Sequence, residues 1–130
     1  MDCIFCKIMS GEIPSYTVYE DDIVKVFLDI NPSTNGDLLV VPKKHVVDIS
    51  DINDEVLAWI FKVTRMLYPK LREALQCDGL TLVQNNGYGQ DVKHFHLHLT
   101  PRYENDQLKH TFNKELLLPI EEVFQKLQNL

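Results

Sequence analysis

The amino-acid sequence predicts an α+β fold, a mainly antiparallel five-stranded sheet with one long helix and a short C-terminal helix. Five short apolar runs have the length of strands, and turn residues separate them. One long amphipathic segment lies between the third run and the fourth. The connections between successive predicted strands resemble those of hairpins, which favours antiparallel pairing. The predicted strands cover residues 17–20, 23–28, 38–41, 80–84 and 94–100.

The helices are predicted from spacing and from residues at their ends. Residues 50–53 offer N-caps to a helix over roughly 51–76. Its apolar residues recur at three- and four-residue steps: Val56, Leu57, Ile60, Phe61, Thr64, Leu67, Leu71 and Leu75. Pro69 is expected to kink or divide this helix, because proline lacks the backbone N–H. Residues 119–127 predict the short C-terminal helix, and 3–9 predict a helical turn.

Length and composition limit the class of protein. The chain has 130 residues, 45% of them apolar and 25% charged, which predicts one globular domain over 1–130. A net charge of −6 argues against a broad nucleic-acid or anionic-membrane surface. No apolar run approaches the ~20 residues that span a bilayer. One small anionic substrate remains compatible, because a single loop can supply the donors.

The N-terminal residues and the cysteines indicate the compartment. Residue 2 is acidic and no long apolar core follows it, so we expect no signal peptide. Three cysteines are an odd number, and Cys3 and Cys6 lie too close together to organise a disulfide scaffold. A reduced, cytoplasmic protein is expected.

The most informative segment is a run in which three histidines alternate with apolar residues. Alternate residues of a strand point to opposite faces, so His94, His96 and His98 would share one face. The opposite face would anchor the strand to the core through Phe95, Leu97 and Leu99. The composition, with five histidines in the chain, does not account for this pattern. The alternation therefore predicts catalysis or metal binding more than a structural role.

Two kinds of chemistry suit such a strand. A neutral imidazole can attack phosphorus and give a phosphoramidate intermediate that water opens. Histidines in this spacing also bind zinc or iron. The loop 85–90 directly precedes the histidines; its glycines allow close approach of backbone N–H groups to a phosphate, and its Asn and Gln amides add donors. Beside three histidines, this loop favours phosphate chemistry over a bare metal site.

With these residues, the sequence resembles the histidine triad (HIT) family, and most closely its small bacterial-type, Hint-like members that begin with Cys-x-x-Cys. The signature His-x-His-x-His is met by His94, His96 and His98, with Leu99 after them. Four further segments resemble the family's N-terminal pattern, nucleoside-binding strand, fourth-histidine block and phosphate loop. They are Ile4-Phe5-Cys6-Lys7-Ile8 with Glu12-Ile13-Pro14, Phe27-Leu28-Asp29-Ile30, Val40-Val41-Pro42-Lys43-Lys44-His45, and Asn85, Gly87, Gly89 and Gln90.

The resemblance implies a HIT-like fold, a homodimer in which two sheets join, and binding of purine nucleotides. It implies hydrolysis or transfer of a nucleoside monophosphate group, as in a nucleotide phosphoramidase or dinucleoside polyphosphate hydrolase. His96 would be the nucleophile at the α-phosphorus. His98 would bind the phosphate or orient the nucleophile, and His94 would complete the catalytic triad. No catalytic metal is required in this scheme.

The resemblance also implies nucleotide-binding residues. Asp29 would accept hydrogen bonds from the ribose, and Asn85 and Gln90 would hold phosphate oxygens. The base would lie against Ile4, Phe5, Ile8, Phe27 and Ile30. Ordinary core positions for the apolar residues, and a turn for Asp29, are the alternatives. Asp91 departs from the family, which more often has Ser or Thr there; because its carboxylate would repel substrate, we expect it to point away or contact solvent.

Cys3 and Cys6 have the spacing of metal ligands, but a second cysteine pair is missing. The resemblance implies a structural zinc ion completed by His45 and His94. The alternative is two reduced thiols beside a histidine that only forms hydrogen bonds.

Two further functions remain open at the level of the sequence. One is a nucleotide-binding regulatory or adaptor protein with incidental turnover. The other is a zinc enzyme that uses the histidine strand as its catalytic ligands.

Overall fold

The computed structural model describes residues 2–130 and confirms the α+β class. In chain order its elements are α1 (Ile4–Met9), β1 (Thr17–Glu20), β2 (Val24–Leu28), β3 (Leu38–Pro42), α2 (Asp54–Leu75), β4 (Gly79–Gln84), β5 (Leu97–Arg102), a 3-10 helix (Lys114–Leu116) and α3 (Ile120–Lys126). The five strands form one sheet in the order β1-β2-β3-β5-β4, and every neighbouring pair is antiparallel.

The pairing of β3 with β5 in the sheet positions the candidate site. Leu39 lies opposite His98, and Val40 lies opposite Leu97. Because the two strands are antiparallel, the chain leaving β3 and the chain entering β5 meet at the same end of the sheet. This topology brings His45, which follows β3, beside His94, which precedes β5.

Helix α2 packs on one face of the sheet. It begins after Asn53, whose side-chain oxygen accepts from the backbone N–H of Val56 at 2.9 Å. The expected division at Pro69 is wrong, because the helix continues unbroken to Leu75. Arg65, four residues before the proline, is exposed, so water can satisfy the carbonyl that lacks a donor. Within residues 2–130, no helix is both long and apolar enough to cross a membrane.

The central strands bury side chains on both of their faces. Toward α2, the core is formed by Val24, Val26, Leu38, Val40, Ile60, Val63, Leu67, Phe95, Leu97 and Leu99. On the opposite face, helix α1 closes a smaller core formed by Phe5, Ile8, Phe27, Leu39 and Val41. The second core explains why a six-residue helix near the N-terminus is held against the sheet.

The histidine segment is less regular than predicted, because β5 begins only at Leu97. The backbone N–H of Phe95 donates to the carbonyl of Val46 at 2.8 Å. The ring Nδ1 of His96 lies 2.8 Å from the carbonyl oxygen of His94. These bonds replace regular strand pairing over the first two histidines, while Phe95 and Leu97 are still buried in the core.

The C-terminal helix lies at its predicted place in the chain, as α3. Its apolar side chains are exposed, as are those of the segment before it: Phe112, Leu116, Leu117, Leu118, Ile120, Val123, Phe124 and Leu127. This segment therefore contributes no buried residue to either core.

Asp21 ties the β1–β2 hairpin to α2 through four hydrogen bonds. Its Oδ2 accepts from the Tyr19 hydroxyl and from the Trp59 indole N–H, both at 2.7 Å. Its Oδ1 accepts from the backbone N–H groups of Ile23 and Val24, at 2.7 and 2.8 Å. Partial burial alone raises the pKa of Asp21, but these hydrogen bonds outweigh it and hold the pKa below its ordinary value.

We expect Asp21→Asn to lower the free energy of unfolding by about 2 kcal/mol near neutral pH, because an amide NH₂ cannot accept from Trp59. A carboxylate whose pKa is lower in the folded state stabilises the fold at pH values above its unfolded-state pKa of about 3.9. This stabilisation is lost as the pH falls through the folded-state pKa. The difference from wild type should therefore shrink in acid. Urea unfolding near pH 7 and near pH 3 measures it. The exposed neighbour variant Asp22→Asn should change stability by less than about 0.5 kcal/mol; equal losses for both would contradict the role of Asp21.

Candidate functional site

His96 is a buried histidine with one defined tautomer. Its Nδ1 lies 2.8 Å from the carbonyl oxygen of His94, and a carbonyl can only accept, so Nδ1 carries the hydrogen. Burial lowers the pKa of His96 and outweighs the carbonyl and Asp91, which raise it. The ring is therefore neutral at neutral pH, with its lone pair on Nε2. This arrangement suits a nucleophile.

His98 and Asp29 lie next to His96. The ring centroids of His96 and His98 are 5.0 Å apart. Nδ1 of His98 is 4.0 Å from Oδ2 of Asp29. The other carboxylate oxygen of Asp29 accepts from the backbone N–H of Asn31 at 2.9 Å, as a turn residue would. One oxygen of Asp29 therefore serves the turn, and the other faces His98.

These three polar residues lie in one cleft with apolar walls. Phe5 forms edge-on ring contacts with Phe27 and with His96, at centroid distances of 5.7 and 5.1 Å. Ile4 and Ile30 are exposed, so the cleft is open to solvent along two edges. The structure thus brings together eight residues named from the sequence: Ile4, Phe5, Ile8, Phe27, Asp29, Ile30, His96 and His98.

Several lining residues were not assigned to catalysis or nucleotide binding from the sequence. They are Ile13, Pro14, Ser15, Leu28, Asn31, Leu39, Asp91 and Val92. Three of them belong to the connection between α1 and β1, where no spacing rule indicates which side chains turn inward. Ile13, Pro14 and Leu28 carried a signal as members of the motifs, and Asp91 as a departure from the family.

Asn85 and Gln90 are not among the residues that line this cleft. The Nε2 of Gln90 donates to the carbonyl of Val47 at 2.6 Å, and Gln90 is buried. The Oδ1 of Asn85 lies beside Gly89, which has a φ of +95°. The loop is therefore folded on itself through glycines with positive φ, next to the cleft and outside its walls.

Asp91 contacts solvent, which was one of the two expectations, but it does not point away from the site. Its Oδ1 is 3.4 Å from Nε2 of His96, although the side chain is 76% exposed. The same oxygen accepts from the backbone N–H of Val92 at 2.9 Å. That hydrogen bond turns the carboxylate toward the histidine while solvent still reaches it.

A second group of polar side chains lies beside the cleft: Cys3, Cys6, His45 and His94. Nε2 of His94 lies 2.8 Å from the carbonyl oxygen of Pro42, so its Nδ1 carries the lone pair. This Nδ1 is 3.3 Å from Sγ of Cys3, 3.7 Å from Sγ of Cys6 and 3.1 Å from Nδ1 of His45. Sγ of Cys6 is 3.3 Å from Nδ1 of His45.

These spacings fit a tetrahedral metal site. Zinc with bonds of ~2.0 Å to nitrogen and ~2.3 Å to sulfur separates its ligand atoms by roughly 3.3 to 3.8 Å. Nδ1 of His45 and Nδ1 of His94, 3.1 Å apart, can face each other through a hydrogen on His45 or through a shared cation. Cys₂His₂ is a closed ligand set, which is typical of a structural ion.

The three histidines of the alternating segment do not share one metal site. Nδ1 of His94 faces the cysteines, whereas Nε2 of His96 faces Asp91. Among residues 2–130, the groups with metal-ligand geometry are the Cys₂His₂ set and Asp29 with Asp37 and His98. The arrangement disfavours a zinc enzyme with all three histidines as catalytic ligands.

Five antiparallel strands, one long helix and three alternating histidines, two of which line a cleft, define a histidine triad protein. The family model described as "HIT domain" matches residues 10–105. The chain belongs to the HIT family.

Two relatives illustrate the range of this family. An uncharacterized HIT-like protein of Methanocaldococcus jannaschii is 42% identical, over 97% of this chain and 98% of that protein. The adenylylsulfatase HINT3 of Arabidopsis thaliana is 37% identical, over 82% of this chain and 55% of that protein.

Two solved structures are similar along most of the chain. A HIT family protein from Bacillus anthracis has a TM-score of 0.82 and 40% identity, and the match covers 96% of this chain and 92% of that one. A zinc-bound histidine triad family protein from Mycobacterium smegmatis has a TM-score of 0.80 and 38% identity, over 88% and 84%.

Proposed function

We propose that this protein is a nucleotide hydrolase or nucleotidyl transferase that cleaves purine nucleotide derivatives at the α-phosphorus. The observation that carries the proposal is the buried, neutral His96, whose Nε2 lone pair faces the cleft. A relative named adenylylsulfatase supports an adenylyl compound as substrate. Phosphoramidates and dinucleoside polyphosphates are the two substrate classes that we consider.

The reaction follows from the positions of the side chains. The base lies between Phe5, Phe27 and the isoleucines of the cleft, and Oδ2 of Asp29 accepts from the ribose hydroxyls. Nε2 of His96 forms a bond to the α-phosphorus as the bond to the leaving group breaks. Water then attacks the phosphorus and releases the nucleoside monophosphate and a neutral His96. His98 binds the phosphate oxygens beside the nucleophile.

Zinc is proposed as a structural cofactor of the same protein. Cys3, Cys6, His45 and His94 would hold it, and a family member solved with bound zinc supports zinc as the ion. The ion supplies a cross-link between the N-terminal segment, the chain after β3 and the chain before β5. His94 would be held rigid, and its carbonyl in turn orients the ring of His96.

The remaining proposals concern the state of the protein in the cell. A single domain over 1–130, a homodimer and a cytoplasmic location all stay predictions from the sequence and from the resemblance. Sedimentation of the purified chain measures the dimer directly.

The activity is tested with two compounds, adenosine 5′-phosphoramidate and diadenosine tetraphosphate, in buffer without added magnesium. We expect release of AMP from at least one of them. Labelled nucleotide should stay on the protein after denaturation in alkali and leave it in acid, because a bond from phosphorus to histidine is acid-labile. AMP binding without turnover of either compound would contradict the enzyme and favour the regulatory or adaptor protein.

A further inference from the structure

The cleft around His96 is negatively charged, although its proposed substrates are anions. Among the described residues that line it are two carboxylates, Asp29 and Asp91, and neither lysine nor arginine. Lys93 is near in sequence, but its Nζ donates to the carbonyls of Gly87 and Gln90, at 3.2 and 3.1 Å. This cation is therefore directed at the loop, and the two carboxylates are the formally charged side chains among the described residues that line the cleft itself.

Asp91 is the carboxylate closest to the position of the reacting phosphorus. Its Oδ1 lies 3.4 Å from Nε2 of His96. A phosphorus ready for attack lies about 3 to 3.5 Å from the nucleophile, hence within about 7 Å of this oxygen. That distance is shorter than the Debye length of about 8 Å at physiological salt, so the charge of Asp91 acts on the substrate. Asp29 lies farther along the cleft, beside His98.

We propose that Asp91 determines the specificity of the cleft for the leaving group. It favours nucleotide derivatives whose group leaving the α-phosphorus is an amine, and disfavours those that lose a phosphate chain or another anion. An amine donates N–H to a carboxylate, whereas a phosphate chain brings further negative charge toward it. The inference rests on the proposed function and assigns its preferred substrate class to one residue.

The proposed step keeps its atoms and charges in balance. Nε2 of His96 bonds to phosphorus as the bond between phosphorus and the amine nitrogen breaks. The electron pair of that bond goes to the amine nitrogen, which takes a proton from solvent water. The resulting amine protonates further in water, and its positive charge then lies within reach of Asp91. Water later opens the bond between His96 and phosphorus.

The test compares two substrates of opposite leaving-group charge: an alkylamine phosphoramidate of AMP and diadenosine tetraphosphate. The variant Asp91→Asn has nearly the same shape and lacks the charge. We expect the ratio of kcat/KM values, amine substrate over tetraphosphate, to fall about tenfold in Asp91→Asn, and similarly in Asp91→Ser. For the wild-type protein, the same ratio of kcat/KM values should also be lower in about 1 M salt, where the Debye length is about 3 Å. Asp22→Asn, which removes an equal charge outside the cleft, should leave the ratio unchanged.

Binding separates the failure of this inference from the failure of the proposed function. The Kd values of AMP and ATP are measured by calorimetry on the same variants. Asp91→Asn should strengthen the binding of ATP relative to that of AMP about tenfold. Turnover or binding with ratios within twofold of wild type would overturn the role of Asp91 alone. A protein that neither binds nor cleaves nucleotides would overturn the proposed function and the role of Asp91 with it.

Discussion

Replacing His96 with alanine should lower the rate of AMP release at least a thousandfold, which corresponds to about 4 kcal/mol of barrier. The structure gives the reason, because Nε2 of His96 carries the lone pair and faces the cleft beside Asp29 and His98. Water attacking directly would lack the covalent intermediate. The measurement is kcat/KM on the faster of the two substrates, with retention of labelled nucleotide in alkali as a second readout.

The control for this variant is His110→Ala. His110 is exposed, lies in the segment after β5 and does not line the cleft, so its removal should change kcat/KM less than twofold. Because His96 is buried, the thermal unfolding of His96→Ala is recorded to show that the variant folds. A folded His96→Ala protein that keeps more than a tenth of the activity would place the nucleophile elsewhere.

The double variant Cys3→Ser, Cys6→Ser should lose bound zinc and the stability that zinc provides. If wild type binds zinc and the free ion is kept a thousandfold above its Kd, the gain is about 4 kcal/mol. For a domain of this size, that is a rise of roughly 15 °C in Tm on adding zinc. We expect the rise in wild type and none in the double variant. Metal content by mass spectrometry and calorimetric Tm values measure both effects.

Cys77 offers a matched control for the cysteine pair. Cys77 is buried at the end of α2 and does not belong to the Cys₂His₂ group. Cys77→Ser should therefore keep one zinc per chain and the same rise in Tm on adding zinc. Zinc that survives in the double variant but is lost from His96→Ala would contradict the structural site and favour the histidines as metal ligands.

The periodicity of apolar residues predicted which helices and strands exist more reliably than where they begin and end. The spacing of apolar residues placed α2 within a few residues, because its buried face repeats with the helical period. The division expected at Pro69 is wrong, since the carbonyl that this proline leaves without a donor lies at the exposed Arg65, where water can bind it. The late start of β5 has a similar cause: Val46 and the ring of His96 take the backbone groups that a regular strand would use.

In the candidate site, residues that belong to a local motif could be predicted, whereas contacts between residues far apart in the sequence could not. The residues of the cleft could be named in advance where a motif carried them, as for Phe27 and Asp29. Asp91 was expected to point away or to contact solvent; it is exposed, and its contact with His96 became visible only in the folded loop. Gln90 belongs to the same loop, and its amide is used by Val47, a residue more than forty positions earlier. No local pattern contains that partner.

The sequence by itself determined the class of fold and the family, and it predicted a chemistry for the histidine segment, because alternation and residue type are local properties. Only the tertiary structure decided which nitrogen of each histidine is available. The carbonyl of Pro42 selects Nδ1 of His94 for the cysteines, and the carbonyl of His94 selects Nε2 of His96 for the cleft. A tautomer depends on the acceptor that the other nitrogen meets, and the fold supplies that acceptor.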